Sequence, residues 1–104
     1  MEKSILITGK QASGKTTKAY EILSNFDSEK TEMLCIRDFL QLQINDIEKF
    51  DAVCIDEIIK VEQIAYIVDI AEVVKTKMII TTQMELVAIP KCLQKSFEII
   101  QVQR

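Results

Sequence analysis

The chain has no histidine and no tryptophan, one proline and only two glycines among its 104 residues. The lack of histidine excludes imidazole acid–base catalysis and histidine metal ligation. Arginine is nearly missing too, with Arg37 and Arg104 the only two. With no dense lysine cluster and a net charge of −3, the sequence carries no footprint of a nucleic-acid surface, and that class of partner is left open. Cys35, Cys54 and Cys92 are far apart, odd in number and without C-x-x-C spacing, which argues against a disulfide framework or a zinc site. Cys35 and Cys54 stand inside apolar runs and are expected to be small buried core thiols. No apolar run approaches the ~20 residues of a membrane span. Met1-Glu2-Lys3-Ser4 leads straight into a strand-like run instead of a signal-peptide core. The expected address is a reducing cytoplasm, with no membrane partner.

What is present is 48% hydrophobic and 28% charged, the balance of a globular chain, and its length suits one domain over 1–104. Apolar runs alternate with helical patterns. Ile5-Leu6-Ile7-Thr8 reads as a buried strand. Ala19, Ile22, Leu23 and Phe26 then mark one face of a helix starting near Gly14. Met33-Leu34-Cys35-Ile36 and Ala52-Val53-Cys54-Ile55-Asp56 are the second and third strands. Between them, residues 38 to 50 read two ways: Asp38 is placed to cap a helix, whereas Leu40, Leu42 and Ile44 alternate as in a strand. Val61 to Val74 predicts a helix with one stripe of Ile64, Ala65, Val68 and Ala71. Tyr66, Ile67, Ile70 and Val73 lie partly outside it, so the helix is expected to bury more than one face, against a partner or second copy or deep within one monomer. Met78-Ile79-Ile80-Thr81-Thr82 is the fourth strand. A poorly periodic stretch broken by Pro90 follows, with a turn of helix to Lys95, and Phe97 to Val102 is the fifth strand. Five short strands with helices between them predict an α/β fold, a parallel sheet covered on both faces.

Residues 9 to 16, Gly-Lys-Gln-Ala-Ser-Gly-Lys-Thr, match G-x-x-x-x-G-K-[ST] in full. The two glycines let the backbone curl so that successive N–H groups face a phosphate, and the start of the following helix adds its positive end. Chance would give such a match on the order of 0.5% of the time in a chain this size, so the functional reading wins. Both glycines of the chain stand in the motif's two required places. The expected ligand is a nucleoside triphosphate, ATP with Mg2+. Gly9, Lys10, Gln11, Ala12, Ser13, Gly14, Lys15, Thr16 and Thr17 would cradle it. Lys15 would reach the β- and γ-phosphates, and Thr16 would place its hydroxyl on Mg2+.

Ala52 to Ile55 is an apolar strand that ends in two carboxylates, Asp56 and Glu57, like a Walker B strand. Asp56 would hold Mg2+ through its water shell, and Glu57 would take the proton of an attacking water. The fourth strand turns polar at Thr81-Thr82-Gln83. Thr82 or Gln83 would sense the γ-phosphate there, and the Gln83 amide could orient the water.

These residues together resemble the P-loop NTPases that carry an added catalytic glutamate. The resemblance implies a sheet order of 5-1-4-3-2, with Asp56, Glu57 and Gln83 beside the loop. Ile79-Ile80-Thr81-Thr82-Gln83, then Ile89-Pro90-Lys91-Cys92-Leu93, then Phe97-Glu98-Ile99-Ile100 resemble the sensor strand, turn and last strand of an AAA+ core. Two departures stand out. The family's arginine finger before the last strand is replaced by Lys95 and Ser96, and the family's helical lid would follow residue 104. The expectation is therefore an ATPase that is slow or partner-dependent, with a neighbouring copy or another protein donating an arginine. A nucleotide-dependent binding module without hydrolysis and a small nucleoside or nucleotide kinase are the alternatives. For the kinase, only the segment Arg37 to Phe50 offers an acceptor pocket.

Overall fold

The computed structural model describes residues 3–10 and 13–102. Five strands, β1 (Ser4–Thr8), β2 (Thr31–Cys35), β3 (Ala52–Ile58), β4 (Lys77–Thr82) and β5 (Phe97–Gln101), form one parallel sheet in the order β2-β3-β4-β1-β5. Read from the other edge this is the expected order. Five helices connect the strands: α1 (Lys15–Leu23), α2 (Ile36–Leu40), α3 (Ile44–Ile47), α4 (Val61–Ala71) and α5 (Lys91–Gln94).

The strand side chains alternate between two cores, because successive residues of a strand face opposite ways. Leu6, Val53, Ile55, Met78 and Ile80 face the larger core with Phe39, Ile47, Ile64 and Ile67. Ile5, Ile7, Ala52, Cys54 and Ile79 face the smaller one, against Ala19 and Leu23 of α1. Ala19, Ala52 and Cys54 are all fully covered, and their small size suits a close approach of α1 to the sheet. That approach fixes where the start of α1, and so the loop before it, stands over the strand ends.

One expectation changes and two open readings are settled. Residues 36–47 form the two short helices α2 and α3 and no strand. Phe39 is fully buried and meets Tyr66 edge-on, with ring centroids 6.3 Å apart. Cys35 is exposed, because β2 is an edge strand none of whose residues is fully buried. The second apolar stripe of α4 is largely covered by the chain itself: Ile67 is fully buried and Ile70 packs on the larger core, leaving Tyr66 and Val73 exposed. No helix of the described residues is long and apolar enough to cross a membrane.

Candidate functional site

The loop leaves β1 at Thr8 and enters α1 at Lys15. It is pinned at its base by the Gly9 amide, which donates to the Thr82 carbonyl at 3.2 Å, and internally by the Ser13 amide on the Lys10 carbonyl at 3.2 Å. Both glycines are geometrically required. Gly14 has φ 95°, in the left-handed region that side chains disfavour. A Cβ on Gly9 would lie 2.5 Å from Ser13 Oγ and 2.6 Å from the Val102 carbonyl oxygen. Lys15 is only 3% exposed, and its ammonium donates to the Lys10 carbonyl at 2.8 Å, so it curls back across its own loop. Ser13 Oγ is buried without any partner. Thr16 is half-buried and Thr17 exposed, both in the first turn of α1, whose positive end opens on the loop. Gln11 and Ala12 lie outside the described residues.

β3 and β4 together build the second half. Ile55 pairs with Ile80 and Ile58 with Thr82, so β3 carries one residue too many and bulges at Asp56 and Glu57. Glu57 takes up the distortion with φ 59°, the only positive φ outside glycine among the described residues. An L-residue held there costs roughly 1–2 kcal/mol, so compensation is needed, and it is present. The Glu57 amide donates to Thr81 Oγ1 at 2.8 Å, and the Gln83 amide donates from Nε2 to Glu57 Oε2 at 2.9 Å. The Thr81 hydroxyl in turn donates to Asp56 Oδ1. Strain of this kind concentrates at functional sites.

β4 lies between β1 and β3, so Gln83 emerges at the same end of the sheet as the loop one strand spacing away, and Asp56 and Glu57 two spacings away, about 10 Å. The structure thus gathers Gly9, Lys10, Ser13, Gly14, Lys15, Thr16, Asp56, Glu57 and Gln83 at one end of the sheet. Thr82 is not available as a sensor: it is fully buried, and its hydroxyl donates to the Ile58 carbonyl at 2.6 Å. Lys95 sits just before β5, whose first residue pairs with Ser4, at the opposite end of the parallel sheet. It cannot serve the chain's own loop. Arg37 is exposed on α2, and Arg104 lies outside the described residues.

Cys54 is no nucleophile, since burial first and the Asp56 charge second push its thiol up to about 12. Thr81 is the residue that sequence reasoning missed. Only the register of β3 against β4 shows that its side chain joins the two carboxylates.

The sheet order, with a glycine loop between β1 and α1 and Asp56 and Glu57 near the end of the strand beyond β4, is the one the sequence resemblance implied. The crystal structure of the DnaC helicase loader matches it with a TM-score of 0.68 and 16% identity, over 97% of this chain and 78% of that one. At that identity the likeness establishes the fold alone. The sequence matches no protein-family model and no curated protein.

Proposed function

We propose that this chain binds ATP with Mg2+ in the Gly9–Thr16 loop and hydrolyses it slowly, with a partner needed for full rate. The observation that carries the reading is the state of the loop's polar groups. Ser13 Oγ is buried and unpaired, and the nearly buried Lys15 ammonium bonds a carbonyl of its own loop. An unpaired buried hydroxyl costs about 1–3 kcal/mol, and an anion held in the loop would relieve both groups. The two glycines let the loop take this shape, Gly9 by leaving room for Ser13 Oγ and the Val102 carbonyl and Gly14 by its positive φ.

Lys15 would turn from the Lys10 carbonyl to the β- and γ-phosphates. Thr16 and Asp56 would hold the metal, which when bound neutralises charge on the phosphate oxygens. Glu57 would accept the proton of the attacking water at its carboxylate, and Gln83 would position that carboxylate through the bond to Oε2. At the end of α5, where the resemblance implies an arginine finger for a neighbouring copy's site, stands Lys95, and such a finger is worth ~10³–10⁵ in rate. Turnover by the isolated chain is therefore expected well below ~1 per second. The structural neighbour is named as a helicase loader, which accords with a protein partner.

Calorimetry with ATP and ADP, each with Mg2+, followed by a phosphate-release assay, tests the reading. No binding of either nucleotide overturns it. Binding with no phosphate release, even at high protein concentration, supports a nucleotide-dependent binding module instead. The kinase alternative loses support, because Phe39, Leu42, Ile47 and Phe50 of the only candidate acceptor segment point into the larger core.

A further inference from the structure

Between the pairs Ile55–Ile80 and Ile58–Thr82, the bulge in β3 sets two residues, Asp56 and Glu57, against one, Thr81. Ile55 and Ile58 both face the larger core, so the extra residue lets the strand resume its pattern after the carboxylates. Asp56 and Thr81 stand two residues beyond Cys54 and Ile79, a pair that faces the smaller core and α1. They therefore leave the sheet on the α1 face, the side of the helix whose first turn holds Thr16.

One hydroxyl serves both carboxylate residues. A backbone amide only donates and a carboxylate only accepts. Thr81 Oγ1 accepts from the Glu57 amide at 2.8 Å and gives its single proton to Asp56 Oδ1. Thr81 is fully buried, so water does not compete for that hydroxyl. Its strand, β4, is paired on both sides, which makes the support rigid.

Each bond sets a different part of the site. The one to Oδ1 fixes the plane of the Asp56 carboxylate and leaves Oδ2 for a metal's water shell. The one from the amide holds Glu57 in its left-handed conformation, from which the side chain reaches Gln83.

We infer that Thr81 is a positioning residue that couples a metal at Asp56 to the backbone of Glu57. This rests on the proposed binding of a nucleotide with Mg2+ and names the group that sets its metal and its proton acceptor together. Thr81 acts through Asp56 and Glu57 and touches neither nucleotide nor metal. Hydrogen-bond partners of metal-holding groups typically change metal affinity roughly 10–100-fold. The coupling is reciprocal: if the intact bonds favour the metal, the bound metal favours the intact bonds and steadies the Glu57 amide.

Calorimetry with the imido analogue of ATP, which is not hydrolysed, over a range of Mg2+ concentrations provides the test. Thr81→Val should raise the Mg2+ concentration at half effect roughly 10–100-fold. Its affinity for the metal-free analogue should equal the parent's, which also shows that the variant folds. Thr81→Ser keeps the hydroxyl and should restore the parent's Mg2+ requirement. A purely structural Thr81 would lose stability in Thr81→Val with no change in the Mg2+ requirement, and that result overturns the inference. On the unmodified protein, the Glu57 amide should exchange its hydrogen more slowly with analogue and Mg2+ than with analogue alone. Equal exchange overturns the coupling, and this measurement decides it should Thr81→Val fail to fold. If the analogue binds the unmodified protein neither with nor without Mg2+, the phosphate-loop reading falls and takes the inference with it.

Discussion

In the loop, a buried hydroxyl has no partner and a buried ammonium bonds only its own loop, whereas the polar groups at the ends of β3 and β4 are already joined to one another. Ser13 and Lys15 represent the first condition. Asp56, Thr81, Glu57 and Gln83 represent the second. On the proposed reading, the loop's groups find their partner in a bound phosphate. The carboxylate end is set in advance, with a strained Glu57 held by neighbours and ready at fixed geometry. Preorganised groups of this kind need no rearrangement at the moment of reaction.

The comparison breaks most sharply at Glu57. Glu57→Gln should keep nucleotide affinity and lower phosphate release by ~10²–10⁴, since an amide accepts no proton in the transition state. A variant as fast as the parent would remove Glu57 from the role of base. On the loop side, Lys15→Ala should weaken ATP binding roughly a hundredfold or beyond calorimetric detection, because the one buried charge aimed at phosphate is lost. Equal affinities would remove the distinction between the two halves.

Smaller effects sharpen it. Thr81→Val keeps the shape of a fully buried side chain and unpairs the Glu57 amide and Asp56 Oδ1. Urea unfolding should show a loss of about 1–3 kcal/mol. No change would mean the carboxylate end is not held as described. Gln83→Ala should reduce phosphate release roughly fivefold at unchanged nucleotide affinity, about one hydrogen bond's worth. A rise in rate would show that the Gln83 bond restrains Glu57 rather than positioning it.

The Cys54 thiol should leave stability independent of pH near neutrality and make it fall in alkali. Its thiol ionises from 9.0 in the unfolded chain and about 12 in the folded one, so the stability it contributes is full below pH 9 and lost as pH rises through 12. Unfolding midpoints of the parent and Cys54→Ala across pH 8 to 11 should converge as pH rises; parallel curves would contradict the raised value.

Much of this was legible in the residues. The loop was readable because its spacing is local: two glycines, a lysine and a threonine within one turn between strand and helix. The strands were readable because each is a short apolar run ending in polar residues. Residues 36–47 were not, since helices of five and four residues are too short to show a period. Cys35 misled because an apolar run does not say which strand stands at the sheet's edge. The second stripe of α4 left two readings open because periodicity counts faces and not the elements that pack on them.

The amino-acid sequence by itself determined the α/β class, the Gly9–Thr16 glycine loop between strand and helix and the pairing of Asp56 with Glu57, all properties of neighbours along the chain. Only the tertiary structure decided that Glu57 sits left-handed in a bulge, that Thr81 and not Thr82 joins the carboxylates, and that Gln83 reaches Glu57. Those contacts span about two dozen residues and hang on the register of β3 against β4. A slip of one residue there would turn each of these side chains to the opposite face of the sheet.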